Sequence, residues 1–341
     1  MQKKVLVSGV KPTGTIHIAN YFGAMRQNVN IGNDDNYESH VFIADYHALT
    51  TVKDASKLRK ETFDLACCYL AIGLDTNKVA FFKQSDVPEH AELACILNNV
   101  VTVPYLMRAH AFKDHEAKSK EVNVGLFTYP VLMAADILIY HADIVPVGSD
   151  QKQHIEYARD IAGYFNRAWN KEYFHMPEAL IMNDVATVPG TDGRKMSKSY
   201  ENTIPLFGTD EEIRKAVMSI VTDAKSTSDV VNPDENNIYN IHRLFLSNSE
   251  NSEGESNDIE DLRNRFLKVG KYEGASYSYK QAKESLYEAI IAFVSPMREL
   301  YNYYQTRPDE VYAILEKGKV KAQAKARETM REVRDIVGLN N

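Results

Sequence analysis

The stretch KVLVSGVKPTGTIHIANYFGA, Lys4 to Ala24, decides the fold of this chain. Its first residues, KVLVS, have the apolar and β-branched character of a buried strand. Gly9, Pro12 and Gly14 then predict a tight turn, and a helical pattern follows from about Ile16 to Asn30. A strand, a turn and a helix in this order form the first half of a βαβ unit, so the stretch predicts a parallel sheet.

The same alternation continues along the first half of the chain. Apolar runs predict strands at 40–45, 78–84 and 143–148, with helical patterns at 54–74, 90–101, 128–140 and 151–165. Such strands are typical of a parallel sheet covered by helices on both faces. The predicted fold class is therefore α/β, a Rossmann-like doubly wound parallel sheet, in which ligands bind beyond the carboxyl ends of the strands.

The second half of the chain has a different character. After about residue 205 no run has the pattern of a strand. Thr209 and Glu212 have the spacing of a capping box, and helical patterns continue at 258–269, 278–304 and 308–337. We therefore expect an all-helical C-terminal domain after a boundary near residues 190–205.

Composition limits the class of protein. The 341 residues are 44% hydrophobic and 26% charged, which is ordinary for a globular protein, and no apolar run is long enough to cross a membrane. The three cysteines have no disulfide-like or metal-binding spacing, which favours a cytoplasmic protein. The net charge of −7 argues against non-specific binding to DNA.

Two segments have the residues of a phosphate site. His17 and Asn20 lie three apart at the start of the first helix, where free N–H groups and the helix dipole attract anions. The alternative is that both side chains only cap the helix. In PGTDGRKMSKSYENTIPLF, Pro189 to Phe207, Lys195 and Lys198 lie in a glycine-containing loop that suits a leaving pyrophosphate. Taken alone, this loop is also consistent with a basic surface loop or a phosphorylation site.

The segment TYPVLMAADILIY, Thr128 to Tyr140, places an acid in an apolar helix. A buried carboxylate is costly without a partner. Helical spacing puts four side chains on one face: Tyr129, Met133, Asp136 and Tyr140. That face suits a large flat ring with a single N–H donor. The alternative is an ion pair between Asp136 and a lysine or arginine of a neighbouring element.

The pairing of P-x-G-x-x-H-x-x-N after the first strand with KMSKS resembles the HIGH-like and KMSKS signatures of class I aminoacyl-tRNA synthetases. The segment 126–156 is similar to the amino-acid-binding core of bacterial-type tryptophanyl-tRNA synthetases. The resemblance extends over essentially the whole chain. It implies a catalytic domain at 1–195 and, at 196–341, the KMSKS loop with a helical anticodon-binding domain.

The resemblance implies roles for individual residues. Asp136 would accept the indole N–H of L-tryptophan, and Tyr129 and Gln151 would hold its amine, with Met133, His47 and Ser8 as further substrate contacts. Lys195, Lys198, Asn20 and His17 would be catalytic. The residues implied for ATP are Lys11, Pro12, Thr13, Ala19, Asn20, Gly148, Ser149, Asp150, Ala186, Lys195, Met196, Ser197, Lys198 and Ser199.

The resemblance also implies ATP with Mg²⁺, a tRNA(Trp) partner and a homodimer. The chain departs from the family pattern at three positions: Ala19 replaces a usual glycine, Lys11 a common glutamine and His115 a frequent lysine. Three rival functions remain open at this point. They are a tyrosyl-tRNA synthetase, a small nucleotidylyltransferase, and a catalytically silent synthetase paralog that binds RNA.

Overall fold

The structure is a computed structural model, and it describes residues 3–12, 14–108, 122–148, 152–181, 188–222, 232–246, 255–269 and 276–340. Contacts divide the chain into two compact units. The first comprises Met1–Gly14, Gln27–Asn183 and Tyr304–Asn341, and the second comprises Thr15–Arg26 and Asp184–Tyr303. The predicted division at residue 195 concerns the roles of the two parts, and it stays a prediction.

A five-stranded parallel sheet forms the centre of the first unit, which confirms the predicted fold class. Its strands are β1 Lys4–Val10, β2 Tyr37–Ile43, β3 Ala80–Lys83, β4 Ile144–Val147 and β5 Glu178–Ile181. Their order across the sheet is β3-β2-β1-β4-β5. The direction of winding reverses at β1, so the edge between β1 and β4 is the place where such a sheet binds ligands.

Each helical pattern of the sequence overlaps at least one helix in the structure. The helices are α1 Ile18–Asn20, α2 Arg26–Gly32, α3 Asp45–Ala48, α4 Ala55–Ala71, α5 Glu89–Leu97, α6 Val103–Leu106, α7 Val124–Leu138, α8 Lys152–Ala168, α9 Asp210–Met218, α10 Asn237–Leu246, α11 Glu255–Phe266, α12 Tyr279–Gln305 and α13 Pro308–Val337. Among these, α3, α6 and α10 were not predicted. A π-helical turn, Tyr21–Met25, joins α1 to α2. Across the described ranges, no helix combines the length and the apolar character that a membrane span requires.

One expectation about the first elements was wrong, and one later strand was not predicted. Gly9 was expected in the turn, but it lies within β1. A Cβ at Gly9 would lie 2.5 Å from Cζ of Phe42, so the glycine makes room for that ring beside the strand. The turn itself contains Gly14, which has a φ of 76° that favours glycine. The sequence also gave no sign of β5, because its EALI stretch is short and lies at the half-exposed edge of the sheet.

Helix α13 completes the core of the first unit. It packs on β3 so closely that a Cβ at Gly318 would lie 1.9 Å from the carbonyl oxygen of Phe81. The helix is further held by a bidentate ion pair from Arg334 to Glu92 on α5, with N–O distances of 2.7 and 2.6 Å. Its buried side chains include Ala322, Met330 and Val333. The last described helix therefore covers a strand from early in the chain.

The second unit joins the segment 15–26 to residues after the KMSKS loop. Ile18 donates a backbone hydrogen bond to the carbonyl of Ile204 (3.0 Å), and Leu206 donates one to Ile16 (3.0 Å). The aromatic rings of Phe22, Phe245 and Phe293 pack together within this unit. The predicted capping box at the start of α9, with Thr209 and Glu212, is confirmed.

Candidate active site

A cavity of about 240 Å³ opens at the carboxyl ends of β1, β2 and β4 in the first unit. Three of the predicted tryptophan-binding side chains on α7, those of Tyr129, Met133 and Asp136, line it together. The remaining walls come from Val7, Gly9, Lys11, Phe42, Ala44, His47, Ile137, Val145, Pro146, Val147, His154 and Ile155. Most of these are apolar, and a few polar groups converge on one space, as small-molecule sites require.

Asp136 is 2% exposed, yet its carboxylate has three hydrogen-bond donors. Oδ1 accepts from Gln84 Nε2 at 2.7 Å and from His90 Nδ1 at 2.6 Å. Oδ2 accepts from His47 Nε2 at 2.8 Å. The expected alternative, a lysine or arginine partner, is wrong, because two imidazoles and an amide satisfy the acid among the described residues.

These donors determine the ionisation of Asp136. Burial alone would raise the pKa of its carboxyl group, because a charge is poorly solvated in the interior. Hydrogen bonds from His47 and His90 more than offset this, and they hold the pKa of Asp136 below its usual value. Asp136 is therefore an ionised acceptor at neutral pH.

The donors lie at the carboxyl ends of the neighbouring strands. His47 is on α3, which follows β2, and Gln84 begins the 3-10 turn Gln84–Asp86 directly after β3. His90 is in the first turn of α5. Sequence reasoning identified His47 but missed Gln84 and His90. The predicted strand, 78–84, included Gln84, so the rule that residues just after parallel strands form the site did not point to it; in the structure β3 ends at Lys83, and Gln84 is the first residue beyond it.

Tyr129 on α7 and His154 on α8 both line the cavity. The hydroxyl of Tyr129 lies 3.1 Å from Nε2 of His154, which is on α8. His154 was also missed, although the helical pattern beginning near residue 151 contained it. Gln151, predicted to hold the substrate amine together with Tyr129, lies outside the described residues.

Two side chains predicted for this face lie elsewhere. Tyr140 was expected beside Asp136 on the cavity face, but it follows the end of α7 and is fully buried, with its hydroxyl 2.7 Å from His90 Nε2. Ser8 is also buried and is not among the residues that line the cavity. It alternates along β1 with Val7 and Gly9, which do line it, so its side chain points to the other face of the sheet.

Lys11 lines the cavity as well, although it was predicted for ATP. Its ammonium group contacts the hydroxyl oxygens of Thr50 and Thr51, at 3.3 and 3.1 Å. Partial burial lowers the pKa of Lys11. Pro12 follows it and is buried, and Gly148 stands directly after β4.

His17 and Asn20 of the first signature lie in the second unit, as does the KMSKS loop. A β-bridge pairs His17 with Pro205, beyond the KMSKS loop. Asn20 accepts a hydrogen bond from the backbone N–H of His17 at 3.1 Å, so its carbonyl oxygen caps the helix and its amide nitrogen is the end left for a ligand. Ala19 lies between them, half-buried in α1. Burial, with the positive charge of Lys198, lowers the pKa of His17 to about 4, so its ring is neutral at pH 7.

The KMSKS segment belongs to a hairpin. Pro189 pairs with Lys195, and Met196 donates to the carbonyl of Val188 at 3.0 Å. Lys195 and Ser199 are exposed, Ser197 and Lys198 are half-buried, and Met196 is buried in the unit. The hydroxyls of Ser197 and Ser199 are 2.8 Å apart. The backbone between the two lysines is thus held by hydrogen bonds from Met196 to Val188 and from Ser197 to the side chain of Asn202.

Asn202, which sequence reasoning missed, holds this hairpin. The side chain is 1% exposed; its oxygen accepts from the backbone of Ser197 at 2.8 Å, and its nitrogen donates to Asp192 at 2.6 Å and to the Lys195 carbonyl at 3.2 Å. A Cβ at Gly190 would lie 2.2 Å from the same amide. Gly190 therefore allows the amide to reach both arms of the loop.

Several predicted residues lie outside the described ranges. They are Thr13, His115, Ser149, Asp150, Gln151 and Ala186. Among the described residues, no group of three or more histidine, cysteine, aspartate or glutamate side chains could hold a metal ion.

Comparison with known proteins points to one family. Residues 2–295 match the family model of tRNA synthetases class I (W and Y). The chain is 45% identical to the tryptophan--tRNA ligase of Fusobacterium nucleatum over 98% of its own length and 97% of that relative. It is 41% identical to the ligase of the same name from Campylobacter jejuni, covering 98% and 99% of the two chains.

Solved structures show the same likeness. The crystal structure of the tryptophanyl-tRNA synthetase from Campylobacter jejuni complexed with ADP and tryptophan superimposes with a TM-score of 0.85 and 40% identity, over 98% of this chain and 99% of that one. A tyrosyl-tRNA synthetase from Archaeoglobus fulgidus has a TM-score of 0.63 at 18% identity, which is a likeness of fold alone.

Proposed function

The chain belongs to the class I tRNA synthetases for tryptophan and tyrosine, and from this premise we propose that it is a tryptophan--tRNA ligase. It activates L-tryptophan with ATP, releases pyrophosphate and transfers the tryptophanyl group to the 3′ end of tRNA(Trp). The observation that carries this proposal is the ionised carboxylate of Asp136 in the wall of a mostly apolar cavity.

The acceptor capacity of Asp136 fits tryptophan. A carboxylate offers about four lone-pair positions. Gln84 and His90 use both positions of Oδ1, and His47 uses one of Oδ2. One position of Oδ2 remains for a ligand, and the indole ring of tryptophan has one N–H donor and no acceptor. The apolar walls suit the rest of the ring.

The first step joins two charged reactants. An oxygen of the tryptophan carboxylate, already ionised, forms a bond to the α-phosphorus of ATP, and the bond from that phosphorus to the bridging oxygen of pyrophosphate breaks. No general base is needed, so the protein contributes by placing the reactants and by stabilising charge. We assign the charge on the pyrophosphate to Lys195 and Lys198, with the imidazole N–H of His17 and the side-chain amide of Asn20 as further donors.

The second step needs an acceptor. The terminal ribose hydroxyl of tRNA attacks the activated carbonyl, an ester forms, and AMP leaves. Mg²⁺ is proposed as the counter-ion that ATP brings, and no step is assigned to it. We further propose that the chain acts in the cytoplasm as a homodimer, without DNA or membrane partners.

The test is ATP–pyrophosphate exchange with each amino acid separately, on the full chain. Exchange with tryptophan alone is expected. Exchange with tyrosine alone would assign the protein to the other substrate of its family, and no exchange with any amino acid would favour the silent paralog. A Lys195→Ala variant should lose exchange by about 10²- to 10³-fold, as charge stabilisation in other active sites does.

A further inference from the structure

We propose that His90 is a positioning residue for tryptophan selection, which holds the Asp136 carboxylate so that its one open acceptor position faces the cavity. His90 does not line the cavity and is fully buried, so it would act through Asp136 alone. This inference rests on the proposed function and deepens it, because it names what makes the acid selective.

The three donors divide unequally between the two oxygens. Oδ1 is occupied by Gln84 and His90, both 0% exposed, and neither lines the cavity. Oδ2 receives only His47, which does line it. The two donors on Oδ1 restrict rotation of the carboxylate about its Cβ–Cγ bond, and they thereby set the orientation of its plane. The open position of Oδ2 is then directed by groups that the substrate never touches.

The hydroxyl of Tyr140 determines which nitrogen of His90 carries the hydrogen. Its hydroxyl lies 2.7 Å from His90 Nε2. Burial, followed by the negative charges of Asp136 and Glu89, raises the pKa of Tyr140 well above its ordinary value, so the hydroxyl keeps its hydrogen and donates it. His90 Nε2 is then the acceptor, and Nδ1 carries the hydrogen that His90 donates to Asp136.

Ring packing holds His90 in this orientation. Its ring lies edge-on to Phe42, with centroids 5.6 Å apart, and edge-on to Tyr140 at 5.4 Å. The ring of His40 stacks on that of Tyr140, with centroids 4.4 Å apart, and so holds the hydrogen-bond partner of His90 in place. The imidazole therefore has neither the space nor the hydrogen-bonding freedom to turn its Nδ1 away from Asp136.

If His90 served only the stability of the core, its replacement would lower stability without changing selectivity for the indole N–H. Two variants separate these roles, because each keeps one of the two hydrogen-bonding positions of the ring. In His90→Asn the amide nitrogen takes the place of Nδ1 and keeps the donor to Asp136. In His90→Gln the amide takes the place of Nε2, so the contact with Tyr140 remains but the donor to Asp136 is lost. Both variants lose the ring, so packing is perturbed in each.

The readout is selectivity for the indole N–H. ATP–pyrophosphate exchange is measured with L-tryptophan and with β-(3-benzothienyl)alanine, in which sulfur replaces the N–H, and the ratio of the two kcat/KM values is compared. We expect His90→Asn to keep the ratio of the unmodified protein within about 3-fold, and His90→Gln to lower it at least about 10-fold, mainly through KM for tryptophan. Equal ratios in the two variants would overturn the role of His90.

Two further measurements keep the result decisive. If the unmodified protein shows no exchange with tryptophan, the proposed function fails and this inference fails with it. If His90→Gln does not fold, Tyr140→Phe takes its place, since it removes the hydrogen that fixes the tautomer of His90; a ratio lowered about 3-fold or more is expected. Tyr69→Phe, which removes another fully buried hydroxyl in the same unit, is the control and should leave the ratio unchanged. An unchanged ratio in Tyr140→Phe would overturn the inference.

Discussion

Replacing Asp136 with asparagine tests the site most directly. The side chain keeps its shape, but one oxygen with acceptor positions becomes an N–H₂ group. If Oδ1 still accepts from Gln84 and His90, the new nitrogen replaces Oδ2. Its two hydrogens then point to His47 and to the position that the substrate N–H would occupy. Two donors, the amide and the indole N–H, would then face each other in the cavity.

The magnitude follows from the bond that is lost. A hydrogen bond to a charged group contributes about 1.5–3 kcal/mol, and 1.4 kcal/mol is about tenfold in affinity. The kcat/KM for tryptophan in exchange should therefore fall about 10- to 100-fold, while that of the benzothienyl analogue should change little. The free energy of unfolding, measured in urea, should fall by less than about 2 kcal/mol, because His47 can move its hydrogen to Nδ1 and accept from the new amide.

The control is Asp143→Asn. Asp143 accepts a backbone hydrogen bond from Val5 at 2.8 Å and does not line the cavity, so selectivity should remain that of the unmodified protein. The reasoning would be refuted if Asp136→Asn lowered kcat/KM for both substrates by the same factor. In that case the acid would shape the cavity without reading the N–H.

Three further predictions concern other parts of the chain. Asn202→Ala should lower kcat for exchange about 10- to 100-fold and leave KM for tryptophan unchanged. The substitution removes the hydrogen bonds that hold the hairpin of Lys195, and Asn202 does not line the cavity. A change in KM alone would contradict this. Gly318→Ala should lower the midpoint of urea unfolding by the equivalent of about 1–3 kcal/mol, because the added Cβ meets the backbone of Phe81. Gly23→Ala is the control and should leave the midpoint unchanged, because a Cβ there meets nothing within 4 Å. Equal midpoints in the two variants would contradict the close approach to Phe81. Burial, with the charge of Arg265, lowers the pKa of His242 to about 4, so the unfolded chain binds a proton there first as pH falls below about 6.5. Stability should therefore decline from about pH 6.5 to 4, and less steeply in His242→Gln; parallel pH profiles would contradict the assignment.

The sequence predicted the sheet because β1 to β4 are continuous apolar runs, and it predicted α13 with the bounds that the structure has. It could not predict β5, whose EALI stretch is short and half-exposed at the sheet edge. Gly9 was wrongly placed in a turn, because a glycine in a strand that makes room for a distant ring leaves the same local signal as a turn glycine.

In the candidate site, the sequence identified the residues that face a substrate better than those that support them. Tyr129, Met133 and Asp136 were predicted from helical spacing, and they line one cavity. The partners of Asp136 were not predicted, because His90 and Gln84 reach it across the sheet edge, and no spacing along the chain encodes a contact between separate elements. Tyr140 was misplaced, since α7 ends at Leu138 and the regular spacing ends with it.

The covering of β3 by α13 has a consequence for synthesis of the protein. The ribosome makes β3 early, but the helix that packs on it at Phe81 emerges about two thirds of the chain later. At ordinary rates of translation, that delay is on the order of tens of seconds. During this time the nascent sheet presents an unsealed apolar face, so this chain should depend on chaperones that bind such faces until Gly318 has left the exit tunnel.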